Sequence, residues 1–297
     1  MSFLFRVVLS ALTLSFMFSP AHGQNNPDTL SLVSWNVYRA NTAIHTNSRN
    51  PEDWQLLAGW SEALASKADV IFLQEFDTVG TASSLFGSEF DYYFSHRNRG
   101  SVRDSDLQRT AIAVRRSAID VVSSYEYYSL GVNGGRYGVD LMLENPTSGN
   151  RVRILNFHLE EGCQDENVTG SSSNSCRTLV RQYEEIALWV EDRRQEGVPF
   201  LLGGTVLRDL INNETEISLL ENSQAQEAQN LIALNQGRPD CWNGRFNSWS
   251  DYFITDTSAL PFVISGSFDE AVFSVADFEA LAPKISDHCP ILVELNI

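Results

Sequence analysis

Basic residues are scarce in this chain. Its 297 residues include 21 Lys and Arg against 38 Asp and Glu, for a formal net charge of −17. Such an acidic surface repels the phosphate backbone of nucleic acids at long range. The composition therefore argues against a non-specific DNA-binding protein, unless a local basic cleft or a bound cation overrides it. The alternative is that the charge only keeps the protein soluble outside the cell.

Long apolar runs are absent beyond the N-terminus. Residues 7–18 are apolar, but 12 residues are too few to span a bilayer comfortably. Arg6 precedes this run and the small residues of Ala21-His22-Gly23 follow it, an order typical of a cleaved signal peptide rather than a membrane anchor. We expect residues 1–23 to be a signal peptide and residues 24–297 to form one domain. The mature chain is then secreted, extracellular or periplasmic, with no membrane span, and we expect a monomer.

Cysteine is rare, with four residues in the whole chain. An even number behind a signal peptide predicts two disulfides. Cys163 and Cys176 flank a loop rich in Ser and Asn, which favours pairing them and leaves Cys241 for Cys289. Four free, buried thiols are the alternative. The spacings lack the close ligand pairs of a zinc site.

Apolar periodicity alternates between strand and helix along the chain. Strong helices are predicted at 51–67, where Asn50 caps and Pro51 opens the helix, and at 177–196, before Gly197 and Pro199. The stretch 212–236 is Gln- and Asn-rich and is predicted as helix plus loop. Strands are predicted at 30–37, 70–73, 110–114, 139–143, 151–159, 200–204, 251–254 and 290–296. This order predicts an α/β four-layer sandwich in which two mixed β-sheets pack face to face with helices outside.

Polar residues recur where these strands end or begin, namely Asn36, Glu75, His158, Asp251 and the pair Asp287-His288. A carboxylate after a buried strand is a hard ligand for Mg²⁺ or Ca²⁺. A histidine there can donate to a phosphate oxygen, and a carboxylate can fix its tautomer. Taken singly, each residue is more often a surface charge, a turn former or a structural histidine.

Their order and flanking residues carry a resemblance. The segments S-W-N-V at 34–37, L-Q-E at 73–75, N-F-H-L at 156–159, D-Y-F-I at 251–254 and S-D-H-C-P at 286–290 follow one another along nearly the whole mature chain. The sequence resembles the endonuclease/exonuclease/phosphatase superfamily, with its deoxyribonuclease-I-like fold. The region 163–199 further resembles secreted bacterial members.

The resemblance implies a role for each matching residue. Glu75 would be the main ligand of Mg²⁺ (or Ca²⁺ or Mn²⁺), with Asn36 and Asp287 completing or orienting that site. His158 and His288 would bind and polarise a scissile phosphate, and Asp251 would orient His288. Arg136, in G-G-R-Y, would contact the phosphate, although a glycine-flanked arginine is as often a surface turn residue.

One motif departs from that family. Relatives continue the strand at 200–204 into G-D-F-N, where the Asp prepares the attacking water and the Asn positions it. Here the frame reads Gly204-Thr205-Val206-Leu207. A threonine is no base at neutral pH, and general-base help is worth roughly 10²–10⁴ in rate. Asp209 is better explained as a turn carboxylate than as a substitute base, and Glu160 and Glu161 at the cleft rim would repel phosphate.

Three functions remain open from the sequence. The favoured one is a pseudoenzyme that has lost or nearly lost hydrolysis, by natural decay or deliberate alteration, and still binds metal and a phosphoester ligand. The second is a weak Mg²⁺-dependent phosphodiesterase or nuclease that relies on the remaining residues. The third is an interaction protein with a vestigial cleft, against which the intact Glu75, Asp287 and His288 argue. Nucleic acid is a possible ligand that the acidic charge does not favour.

Overall fold

A computed structural model describes residues 28–40, 49–96, 108–164, 167–220, 231–273 and 278–297; the predicted signal peptide lies outside them. The strands are β1 (Thr29–Ala40), β2 (Val70–Phe76), β3 (Phe90–Phe94), β4 (Arg109–Arg115), β5 (Asp120–Tyr127), β6 (Gly138–Glu144), β7 (Arg151–His158), β8 (Phe200–Thr205), β9 (Leu231–Ala233), β10 (Asp251–Asp256), β11 (Asp269–Glu270) and β12 (Ile291–Asn296). The helices are α1 (Pro51–Ala65), α2 (Val79–Phe86), α3 (Asn174–Glu196), α4 (Glu214–Leu219), α5 (Cys241–Gly244) and α6 (Phe278–Leu281).

The strands form two six-stranded mixed sheets. The first has the order β11-β12-β1-β2-β4-β3 and the second β5-β6-β7-β8-β10-β9. Each sheet contains one parallel pair at its centre, β1 with β2 and β7 with β8, among antiparallel neighbours. This confirms the predicted architecture of two mixed sheets with helices outside.

Side-chain alternation explains the layers. In β1 and β2, Leu32 and Phe72 belong to the apolar cluster shared with the second sheet, whereas Val33 and Ile71 belong to the cluster beneath α1 and α2. Because successive side chains of a strand point to opposite faces, both faces of this sheet are covered. Phe72 meets Phe253 of β10 edge to face at 5.5 Å between the sheets.

A buried amide network crosses the interface between the sheets. Gln74 donates to Asn156 Oδ1 at 2.7 Å and to Ser34 Oγ at 3.2 Å. The Asn156 amide donates in turn to the carbonyls of Leu73 and Ala111, at 2.9 and 2.7 Å. Polar groups buried in an apolar interface are costly unless paired, so this network favours one alignment of the two sheets.

The predicted elements are present, with corrections at three places. Helix α3 begins three residues earlier than predicted because the Ser173 hydroxyl accepts from Cys176 N and caps it. The stretch 212–236 includes strand β9 as well as α4, and its residues 221–230 lie outside the described part. Sequence periodicity does not indicate the helices α2, α5 and α6 or the strands β3, β5 and β11; β5 lies at a sheet edge and buries little.

Both predicted disulfides are confirmed, Cys163 with Cys176 and Cys241 with Cys289. Disulfides indicate a non-cytosolic environment. Among the helices of the described residues, none has the length and apolar character needed to cross a membrane.

The two glycines of β8 are required by close packing. A Cβ on Gly204, whose φ is +143°, would lie 2.0 Å from the Phe157 carbonyl oxygen. A Cβ on Gly203 would press on Phe253 and Phe72 at 2.9–3.0 Å. Both positions therefore need glycine, so that β8 can pass close to β7 and to the opposite sheet.

Candidate functional site

The polar residues singled out in the sequence meet at one edge of the sandwich. Strands β1, β2, β7 and β8 all end there, and β10 and β12, which run the other way, begin there. Backbone pairing sets Thr205 opposite both Asp251 and His158. The sheet topology thus brings together side chains that are far apart in sequence.

Two irregularities in the first sheet turn Glu75 into this edge. Leu73 and Phe76 both pack under the outer helices although they lie three residues apart, so Glu75 is an extra residue in the strand, with φ +64°. The facing part of β1 has a matching shift, with Tyr38 at φ +48° and Arg39 at +55°. Positive φ in non-glycine residues is uncommon and often marks functional sites.

Glu75 and Asn36 contact each other. The Asn36 amide donates to Glu75 Oε1 and to Thr205 Oγ1, both at 3.4 Å, and Arg39 N donates to Glu75 Oε2 at 2.9 Å. The Asn36 oxygen, which would bind a metal, accepts from Tyr38 N at 3.0 Å. Asn36 therefore orients Glu75 in this arrangement.

Thr205, Asp251 and His288 form a buried chain of hydrogen bonds. The Thr205 hydroxyl donates to Asp251 Oδ1 at 2.7 Å, and Asp251 Oδ2 lies 2.6 Å from His288 Nδ1. Ser250 Oγ also donates to Asp251 Oδ2, at 2.9 Å. Burial would lower the pKa of His288, but the charge and hydrogen bond of Asp251 raise it to about 10. His288 is therefore cationic at neutral pH, with Asp251 as its counter-ion.

His158 lies on the other side of Thr205 and is fully buried. Its Nε2 is 2.7 Å from Glu161 Oε1, and that oxygen is 3.0 Å from Arg136 Nη1. Burial and the charge of Arg136 lower the pKa of His158, so the imidazole is neutral at pH 7. The two histidines of the site thus differ in charge.

Asp287 and Glu270 line a cleft beside His288. The cleft also contacts Trp249, Ser250 and the Cys241–Cys289 disulfide. Burial raises the pKa of Asp287; the charge of His288 opposes this and Glu75 adds to it. Burial also raises the pKa of Glu270, to about 7. Two carboxyls with raised pKa values therefore border the cationic His288.

Arg49 holds the backbone that carries the site. It is 9% exposed and donates to the carbonyls of Val37, Tyr38, Arg39, Lys284 and Ile285, at 2.6–3.2 Å. It therefore ties the irregular end of β1 to the loop that leads to Asp287. Sequence reasoning missed Arg49, because nothing near it in sequence shows which carbonyls it reaches.

Comparisons with known proteins find similarity in three-dimensional structure but no match in sequence. No protein-family model and no curated protein matches the sequence. An endonuclease/exonuclease/phosphatase from Bacteroides vulgatus is similar over 91% of this chain and 99% of that one, with TM-score 0.61 and 14% identity. TDP2 of D. rerio, complexed with a single-strand DNA product, is similar over 91% of this chain and 99% of that one, with TM-score 0.57 and 14% identity. The mannosyl-6-phosphatase Bt3783 of Bacteroides thetaiotaomicron is similar over 90% of this chain and 100% of that one, with TM-score 0.56 and 16% identity.

The chain has the endonuclease/exonuclease/phosphatase fold. This confirms the fold that the motifs predicted.

Within this fold, the structure places most predicted site residues together and leaves their roles as predictions. Asn36, Glu75, Asp251 and His288 are joined directly or through Thr205. Asp287 lies 3.8 Å from His288 Nε2. Arg136 donates to Gln108 and pairs with Glu161. Leu207 is half-buried just beyond β8.

Two acidic residues near the site differ in how they are used. Asp209 accepts from the backbone of Ile211 and Asn212, at 3.1 and 3.0 Å, as a turn residue does. Glu161 is drawn in against His158 and Arg136. The expectation that Glu161 would repel phosphate from the rim omitted this pairing with an arginine.

Proposed function

We propose that this chain is a secreted phosphoester-binding protein whose hydrolytic activity is lost or strongly reduced. The observation that carries the proposal is the place of Thr205, at the centre of the site between Asn36 and Asp251. Its hydroxyl proton is committed to Asp251, and a hydroxyl has no basic function at neutral pH. The residue that would activate water is therefore replaced by one that only bridges two other side chains.

The remaining side chains suit anion binding. His288 is cationic, its Nδ1 is held by Asp251, and its Nε2 is left to donate to a phosphate oxygen. A phosphate group bound there would also lie near the cleft lined by Ser250 and Trp249. These residues bind and orient a phosphoester; none of them prepares a water molecule.

A divalent cation fits the same edge. Glu75 is a buried carboxylate that accepts from Arg39 N and the Asn36 amide, and within the described part of the chain it forms no ion pair with lysine or arginine. Asp287 supplies a second carboxylate at this edge, 3.8 Å from His288 Nε2. Mg²⁺, Ca²⁺ or Mn²⁺ held by these groups would stabilise negative charge on a bound phosphate.

The negative net charge of the protein limits which phosphoesters it would bind. Bt3783 is a mannosyl-6-phosphatase and TDP2 was captured with single-strand DNA, so both kinds of ligand occur on this fold. The net charge of −17 opposes long polyanions. We favour a small phosphoester over nucleic acid, and secretion to the extracellular or periplasmic space.

A revertant tests the proposal. The full chain and the double variant Thr205→Asp, Leu207→Asn are assayed with Mg²⁺ or Mn²⁺ on bis-nitrophenyl phosphate, nitrophenyl phosphate and single-stranded DNA. We expect the unaltered protein near background and the double variant ~10²–10⁴-fold faster on at least one substrate. Equal, substantial rates for both proteins would refute the proposal and support a weak phosphodiesterase instead.

Binding is measured separately, because a silent assay alone does not distinguish a binding site from a vestigial one. Calorimetric titration with orthovanadate and phosphate, with and without Mg²⁺, should give saturable binding that His288→Ala removes. No saturable binding under either condition would contradict the phosphoester site.

A further inference from the structure

Two carboxylates, those of Glu161 and Glu75, lie close to His158. Glu161 follows β7 in the chain, and its Oε1 lies 2.7 Å from His158 Nε2. Glu75, from the opposite sheet, reaches the same place: one donor atom each from Glu75, His158 and Glu161 all lie within 4.8 Å of one another. An imidazole and two carboxylates therefore converge across the two sheets.

His158 is a buried side chain with a polar ring atom that has no hydrogen-bond partner within the described residues. It is 2% exposed, and within the described residues its Nδ1 has no hydrogen-bond partner, while Nε2 contacts Glu161 Oε1 at 2.7 Å. The imidazole is therefore paired with a carboxylate at Nε2, and its buried Nδ1 is left without a partner. Buried polar atoms are almost always satisfied, and each exception calls for an explanation such as an ion.

The donor set identifies the class of ion. One neutral imidazole and two carboxylates suit first-row transition metals such as Mn²⁺, Zn²⁺ or Co²⁺, whereas Mg²⁺ and Ca²⁺ prefer oxygen ligands alone. Ligand atoms about 2.0–2.2 Å from an ion are at most about 4.4 Å apart. The observed cluster therefore needs shifts of a few tenths of an ångström to close around one.

Arg136 supports this arrangement from outside. It contacts Glu161 Oε1 at 3.0 Å and is itself fixed by Gln108. Groups that hold a ligand from behind set its orientation and tune its affinity. The two carboxylates and Arg136 sum to one negative charge, so a bound dication would leave the cluster positive and attractive to a phosphate anion.

We propose that Glu75, His158 and Glu161 form a transition-metal site in this protein. It shares Glu75 with the Mg²⁺ site that the family resemblance implies, but it replaces Asp287 by a nitrogen ligand and by Glu161. His158 is then a metal ligand rather than a phosphate-binding group. The inference stands on this geometry and holds whether or not hydrolysis has been lost.

Metal binding on the chelator-treated full chain tests the proposal. Zn²⁺ and Mn²⁺ are titrated calorimetrically against Mg²⁺, and we expect the transition metals to bind at least 100-fold more tightly. Glu161→Gln and His158→Gln should each weaken Zn²⁺ binding by ~10–100-fold or more. The neighbouring Glu160→Gln is the matched control and should change it less than twofold.

A spectroscopic measurement covers the case in which a ligand variant does not fold. Pulsed electron paramagnetic resonance of the Mn²⁺-loaded chain should show coupling to one imidazole nitrogen, and the coupling should persist in His288→Gln. Mn²⁺ bound without nitrogen coupling, or a coupling lost in His288→Gln, would overturn the proposal. So would Zn²⁺ affinity that falls in Asp287→Asn and is unchanged in Glu161→Gln. Neither readout depends on hydrolysis, so failure of the proposed function is detected separately.

Discussion

Replacing Thr205 by valine isolates the hydroxyl that the structure places at the centre of the site. Valine keeps the shape and β-branching of threonine and lacks only its hydroxyl, so the backbone of β8 is preserved. Asp251, however, is buried and accepts from Thr205, Ser250 and His288. Thr205→Val leaves Asp251 Oδ1 without its donor and removes the acceptor for the Asn36 amide.

The magnitude follows from the cost of an unsatisfied buried group. A donor withdrawn from a buried partner costs ~1–3 kcal/mol. For a domain of this size, each kcal/mol lowers Tm by about 2–4 °C, so we expect a loss of ~4–8 °C at the middle of that range. Differential scanning fluorimetry or calorimetry of the metal-free protein at pH 7 measures it.

Thr205→Ser is the control, because it keeps the hydroxyl and removes only a buried methyl worth about 1 kcal/mol. We expect the order of stability to be wild type, then Ser, then Val. A valine variant as stable as the wild type would refute the reasoning. It would mean that Thr205 fills space without stabilising Asp251, and the central argument for its role would be lost.

Three further predictions address the frame of the site. Arg49→Met should lower stability by ~3–5 kcal/mol in urea titrations, because it removes the donor from five carbonyls, two of them in fully buried hydrogen bonds; a loss below 1 kcal/mol would contradict this. Gly204→Ala should lower the free energy of unfolding by ~3 kcal/mol or more, or prevent folding, because the added Cβ meets the Phe157 carbonyl. Gly59→Ala is the control: it adds a Cβ in open space on α1 and should raise Tm slightly. Glu270→Gln should raise Tm at pH 8 and leave it unchanged at pH 5. The pKa of Glu270 in the folded state, about 7, exceeds its ordinary value of 4.5. The wild type therefore loses stability as pH rises from about 4.5 through 7, whereas the glutamine variant does not. Equal Tm shifts at both pH values would exclude a titrating Glu270.

The sequence predicted what backbone periodicity and strand ends determine. Glu75, His158 and Asp251 were placed at strand ends, and the sheet topology brings these ends to one edge. Both disulfide pairings were predicted as well. These features depend on local pattern and on which strand ends meet.

The features that escaped sequence reasoning depend on contacts distant in the chain or on unusual backbone. No glycine marks the positive-φ positions at Tyr38, Arg39 and Glu75, so the turn of Glu75 into the site has no sequence signal. Arg49 reaches carbonyls more than 230 residues away. Glu161 looked like a rim charge, because its contact with His158 depends on how the chain bends after β7.

The amide network between the sheets has a consequence for how this protein tolerates change. Glu75 is mounted on one sheet, and His158, Thr205 and Asp251 on the other, so the site consists of two halves. Apolar faces slide over one another at little cost, whereas the hydrogen bonds that the Gln74 and Asn156 amides donate are made in only one alignment. Apolar replacements at these two positions would leave a protein that still folds but whose half-sites no longer face each other. Folding and alignment are thus separable properties here, because burial of the apolar faces drives the first and these amides set the second.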